Sequence, residues 1–134
     1  MALAQHQKAV GKARTVEAVA NVRAIANAHQ FYYIEHGKYL GESDMNKLDI
    51  TIPGTIDNTL GNRRIKTKYF VYSPNGSSGY LGVAQRAQKE GTLYYYIYIA
   101  KSSPQRIGCY VYPSGSATTM QKKLCQQLET TGTL

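Results

Sequence analysis

The chain has 134 residues, a length suited to one domain with a single core, and 43% of them are apolar. Charged residues make up 18%, which is a globular composition and excludes a disordered chain. Its apolar runs are only a few residues long, far short of the roughly 20 that span a bilayer, so neither a signal peptide nor a membrane-crossing segment is read within it.

The net charge of +8 is unevenly placed. Residues 1–57 carry six basic and six acidic side chains, whereas from Asn58 onward ten basic residues face only Glu90 and Glu129. Such an excess favours acidic partners such as nucleic acid, anionic glycans or a membrane surface. More ordinarily, the same charge serves solubility or matching to a neighbouring subunit.

Taken from its start, Ala2 to Arg14 is helix-permissive, with Leu3 and Val10 as its only bulky aliphatic residues. Gly11 weakens a helix there by about 1 kcal/mol relative to alanine. If this segment continues into the helix that follows, its first third is expected to project with nothing to pack on. It then reads as half of a longer element, and Met1 as a start codon on a trimmed chain.

The next stretch organises the rest. Thr15, Ala18, Val22, Ile25, His29 and Tyr32 recur at alternating steps of three and four, and Val19, Ala26 and Tyr33 widen the same stripe. At 3.6 residues per turn these nine side chains share one helix face. Glu17, Asn21, Arg23, Asn27, Gln30 and Glu35 take the opposite side. Gly37 ends the helix, because glycine enters the left-handed conformation without a Cβ clash. An amphipathic helix ending at Gly37 is therefore predicted, with a stripe that the later chain must cover.

Residues 38–68 read as a connecting region, punctuated by Asp44, Pro53, Gly54, Asp57, Asn58, Gly61 and Asn62. Within it Leu48, Ile50 and Ile52 alternate with Asp49 and Thr51, which predicts one short strand. It closes on Arg63, Arg64, Lys66 and Lys68, a candidate anion- or DNA-binding cluster. The plainer reading of the four is a strand edge protected by charge.

Strand signals follow at Tyr69–Tyr72, Tyr80–Gln88 and Leu93–Ala100, separated by turn chemistry at Ser73–Gly79 and Lys89–Gly91. The last, LYYYIYIA, is the strongest, dense in residues that fit a pleated and half-buried surface. Leu93, Tyr95, Ile97 and Ile99 face one way and Tyr94, Tyr96 and Tyr98 the other. The aliphatic side suits the helix stripe. An α+β fold is expected, with one long N-terminal helix packed on an antiparallel meander sheet.

The tail, residues 101–134, holds a strand-like Cys109–Tyr112, a turn at Pro113–Ser116 and a helix-compatible Thr118–Leu128. Cys109 and Cys125 lack a CxxC spacing and a neighbouring histidine. They are either two buried thiols or one disulfide, which would stabilise by about 3 kcal/mol and imply a non-reducing compartment.

Catalytic signals are sparse. His6, His29 and His36 form no metal-binding spacing, and His29 lies on the apolar stripe, where core histidines are ordinary. Phosphate-loop and nucleophile-elbow motifs are absent, and the carboxylates are scattered. Twelve tyrosines read as strand packing. No enzyme, cofactor or metal is expected.

Residues 2–40, ALAQHQKAVGKARTVEAVANVRAIANAHQFYYIEHGKYL, carry a resemblance. The entry Leu3-Ala4-Gln5-His6-Gln7-Lys8-Ala9-Val10, the Ala/Asn-rich helix, the pair Tyr32-Tyr33 and then Glu35, Gly37 and Tyr39 are similar to type IV pilins of Gram-negative bacteria. The similar segment is the one that follows the family's hydrophobic N-terminal stretch, and the late cysteine pair fits as well. Ala4 stands where the family often has proline.

The resemblance implies a structural pilus subunit in which Cys109 and Cys125 close a C-terminal loop. It also implies an apolar helix half ahead of this chain that anchors the subunit in the inner membrane and bundles in the filament core. Expected partners are other pilin subunits and the assembly machinery, with the membrane met only through that absent segment. The assembled protein would lie in a pilus on the cell surface. The alternatives are a DNA-capturing or minor pilin that uses Arg63, Arg64, Lys66 and Lys68, and a secretion-system pseudopilin.

Overall fold

The structure, a computed structural model, describes residues 2–57, 64–87, 93–113, 115 and 117–133. One helix, α1 (Ala2–His36), runs about 52 Å at 1.5 Å per residue. It ends at Gly37, whose φ is 72° and whose N–H donates to the Tyr33 carbonyl at 2.8 Å. Thr15, Ala18, Val22, Ile25, Ala26 and His29 are each at most 2% exposed, so the expected stripe is the buried face. Val19 and Tyr32 are half-buried beside it. Tyr33 departs from the expectation: it is 41% exposed and stacks on Tyr39 at 4.2 Å. It lies at the last turn of the helix, where the chain bends away through Gly37.

The sheet is a six-stranded antiparallel meander in chain order: β1 (Thr55–Asp57), β2 (Arg64–Lys66), β3 (Phe70–Asn75), β4 (Tyr80–Ala87), β5 (Leu93–Ala100) and β6 (Ile107–Val111). Helix α1 packs across β3, β4 and β5. Register places Ala84 beside Ile97 and Gly82 beside Ile99, all buried against the helix. A Cβ on Gly82 would lie 2.9 Å from the Val22 carbonyl oxygen, so glycine lets the helix backbone settle onto β4. The expected alternation in β5 places Tyr95, Ile97 and Ile99 in the core, each at most 5% exposed.

The connecting region differs from its expected form. Met45–Lys47 is a short 3₁₀ helix, η1, and no strand forms at residues 48–52. Met45, Leu48 and Ile52 are buried nonetheless, and Ile50 is half-buried. The alternation marked burial. It did not make a strand: β1 is what pairs with β2, as in Ile56 opposite Ile65, and Leu48 and Ile52 are buried without joining the sheet.

Beyond the sheet, Thr118 caps α2 (Thr119–Thr131) in a capping box with Gln121. This helix packs on β6 and is joined to it by the Cys109–Cys125 disulfide, the expected pairing. It also meets α1, where Gly11 faces Met120 and Leu124. The first third of α1 is therefore partly packed: Val10 and Gly11 are half-buried. Arg63, the Lys89–Gly91 turn, Asn58, Gly61, Asn62, Ser114, Ser116 and the side chains of Leu3, Lys8 and Leu93 lie outside the described residues.

Candidate functional site

The basic cluster was the sharpest charge signal, and the structure separates its members. Arg64 is only 7% exposed. Its Nη1 donates to Glu42 Oε1 and to Gln85 Oε1, each at 3.1 Å. By register Arg64 and Gln85 lie on the sheet face away from α1, where the loop carrying Glu42 crosses above them. Arg64 thus ties this loop to the sheet and offers no charge to solvent. Lys66 and Lys68 are exposed, and the Lys68 ammonium lies 5.4 Å from the Tyr69 ring centre.

Past that loop, the same sheet face carries a cluster of tyrosines. Tyr96 is its hub, with ring centres at 5.4 Å from Tyr110, 5.6 Å from Tyr98, 5.6 Å from Tyr112 and 5.9 Å from Tyr80. The Tyr80 and Tyr96 hydroxyls are 3.1 Å apart. Tyr98 lies over Gly108, where an added Cβ would come within 2.3 Å of the ring. Partial burial, above all, raises the Tyr96, Tyr98 and Tyr112 phenol pKa values above the ordinary value. These hydroxyls therefore stay protonated at neutral pH and act as hydrogen-bonding packing groups.

His29 is wholly buried. Its Nδ1 lies 2.9 Å from the Leu81 carbonyl oxygen, and its Nε2 accepts the Leu40 N–H at 2.8 Å. A carbonyl can only accept, so Nδ1 carries the proton and the ring is neutral. Both nitrogens are committed, which makes His29 a structural pin between α1, β4 and the connecting loop. Burial, its largest influence, lowers its pKa from the ordinary value.

The disulfide end is held by polar ties as well. Glu129 accepts the Cys109 N–H at 2.6 Å and the Tyr98 hydroxyl at 3.1 Å, so a carboxylate occupies a donor of the edge strand. The Arg106 guanidinium donates to the Glu129 carbonyl. None of this was visible beforehand, since a single glutamate in a helix carries no sequence signature.

Between α1, the sheet and the start of α2 lies an open notch of about 660 Å³. Val10, Phe70, Met120 and Leu124 form its apolar walls, with Arg14 and Arg86 beside them. The Arg14 guanidinium sits 3.8 Å above the Tyr69 ring. Arg86 lies 5.1 Å from the same ring and donates to the Tyr69 carbonyl at 3.1 Å. At the far end of α1, Phe31 and Ile34 are 68% and 76% exposed. Their angular position, off the buried stripe, was readable from helical spacing.

Among the described residues no three His, Cys, Asp or Glu side chains come together as a metal-binding group. No helix among them is long and apolar enough to cross a membrane. The disulfide points to an oxidising, extracytoplasmic setting. No protein-family model, characterised protein or solved structure matches the chain.

Proposed function

We propose that this chain is the head domain of a structural subunit of a type IV pilus. The observation that carries the reading is the combination of a 35-residue helix laid on a sequential antiparallel meander with a disulfide that closes the C-terminal end. The pilin-like entry sequence of α1 and its Tyr32-Tyr33 pair support it independently. In this reading the head forms the filament wall, and an apolar helix joined ahead of Ala2 forms the core and the membrane anchor before assembly. Partners are further copies of the subunit and the machinery that assembles them. The mechanism is packing, with no bond made or broken.

The test joins an apolar helix of about twenty residues, with a cleavable leader, ahead of Ala2 in a cell that carries a pilus assembly system. The subunit is expected in filaments sheared from the surface. Its retention in the membrane, while the host's own pilin still assembles, would overturn the reading. DNA capture through the basic cluster is less well supported, because Arg64 is engaged with Glu42 and Gln85.

A further inference from the structure

We propose that Phe31, Ile34 and Glu35 of one copy seat in the notch between α1 and α2 of a second copy, head to tail. This deepens the filament reading and rests on it for its setting. The donor patch is a helix end with two apolar side chains at i and i+3 and a carboxylate beside them. Phe31 and Ile34 are the most exposed of the large exposed apolar residues described, and the Glu35 side chain is 72% exposed.

The acceptor is complementary in both respects. Val10, Phe70, Met120 and Leu124 offer apolar walls, while Arg14 and Arg86 supply positive charge. Among the described residues, no carboxylate lines the notch. An apolar pair followed by one acid is the chemistry that such a notch takes, and the chain carries that chemistry on its own surface.

The two patches cannot meet within one molecule. Arg14 and Ile34 are twenty residues apart on one continuous helix, or about 30 Å at 1.5 Å per residue. The contact is therefore heterologous, since one copy gives the patch and the next gives the notch. Heterologous contacts that do not close into a ring propagate as open chains. In a filament whose α1 helices run parallel, the contact would offset successive copies by a distance close to the separation of the patches. Such an offset lets the wall of a filament grow without end.

The experiment places cysteines at Ile34→Cys and Met120→Cys in one full chain and treats it with a thiol-specific bismaleimide. The native cysteines are bonded to each other and do not react. A ladder of dimers, trimers and higher species is expected from the double variant, with each single variant remaining monomeric. Adding Glu35→Arg should weaken the ladder by about tenfold, and Arg14→Glu in the same chain should restore it. Ile34 and Glu35 are exposed, so thermal melting of their variants should match the parent.

No ladder, or equal cross-linking by Ile34→Cys alone, would overturn the contact. Glu35→Arg is then placed in the filament assay. Filaments that assemble normally with it would refute the contact and leave the filament reading standing. A ladder that persists when no version of the subunit enters filaments would refute that reading and support the contact.

Discussion

The two ends of the molecule are held together by different means. Around α1 and β3 to β5, cohesion comes from apolar burial: Ala18, Val22, Ile25, Ala84 and Ile97 are wholly buried. Around α2 and β6 the apolar contribution is smaller. Within α2 only Cys125 and Leu128 are buried, and the disulfide, Glu129 and Arg106 complete the attachment. Burial distributes its stabilisation over many contacts, so it resists the loss of any one neighbour but not the entry of a charge. A few discrete ties can be cut singly, and the region they hold then loosens by itself.

The largest expected effect breaks the first region. Val22→Asp places a carboxylate at a position with no exposure and should cost about 4 kcal/mol or more, a large part of a domain's total stability. Loss of cooperative thermal unfolding checks it. A melt like the parent's would show that the helix–sheet interface is not the source of stability. Second comes the covalent tie. Cys109→Ser with Cys125→Ser should cost about 3 kcal/mol, and hydrogen exchange should rise in α2 before α1. Simultaneous loss of protection in both helices would merge the two regions into one unit.

The same division explains what could be read in the sequence. The stripe from Thr15 to His29 and the inward residues of β5 were legible because burial on one face leaves a period of 3.6 or 2. The Cys109–Cys125 pairing was legible only through resemblance to pilins, because spacing alone left two thiols equally open. Tyr33 kept the helical period but lies where the fold turns away, and local pattern cannot see that. Leu48, Ile50 and Ile52 alternated like a strand, but alternating burial does not by itself form a ladder, and it is β1 that pairs with β2. Arg64 looked like surface charge because Glu42, its partner, lies 22 positions earlier in the chain. Glu129 and the α1–α2 notch depend on how α2 docks, which no periodicity records.

A third test sharpens the comparison by loosening the burial region through a single group. His29 is neutral in the fold, and its lowered pKa means that the unfolded chain takes up a proton first as pH falls. Its contribution is therefore intact above the ordinary imidazole pKa of about 6.5 and is lost as pH drops below it toward the folded value. Protonation would turn Nε2 into a donor facing the Leu40 N–H. Denaturant midpoints should fall between neutral pH and pH 5 in the parent. His29→Gln should be less stable by about 2 kcal/mol at neutral pH, because it cannot reproduce both hydrogen bonds, and should lose much of this pH dependence. An unchanged pH profile in His29→Gln would assign the acid sensitivity elsewhere.

The smallest expected effect lies in the discrete ties. Glu129 accepts from the Cys109 N–H and from the Tyr98 hydroxyl, so it joins α2 both to the edge strand and to the tyrosine face. Glu129→Ala removes both acceptors and should cost about 1 kcal/mol, since water can reach this exposed site and replace part of what is lost. Glu129→Gln keeps an amide oxygen and should cost less. With the disulfide intact α2 stays tethered in both, so the loss should appear as faster exchange of the Cys109 amide, with little change in melting. In the Cys109→Ser, Cys125→Ser background the covalent tether is gone and only the Arg106 tie and the burial of Leu128 hold α2, so Glu129→Ala should then release the helix and uncover β6. An open edge strand is a site for pairing between chains, so that triple variant should also self-associate. If the two changes instead add independently, with α2 still protected, Glu129 and the disulfide do not share one attachment, and the buried Leu128 must hold the helix by itself.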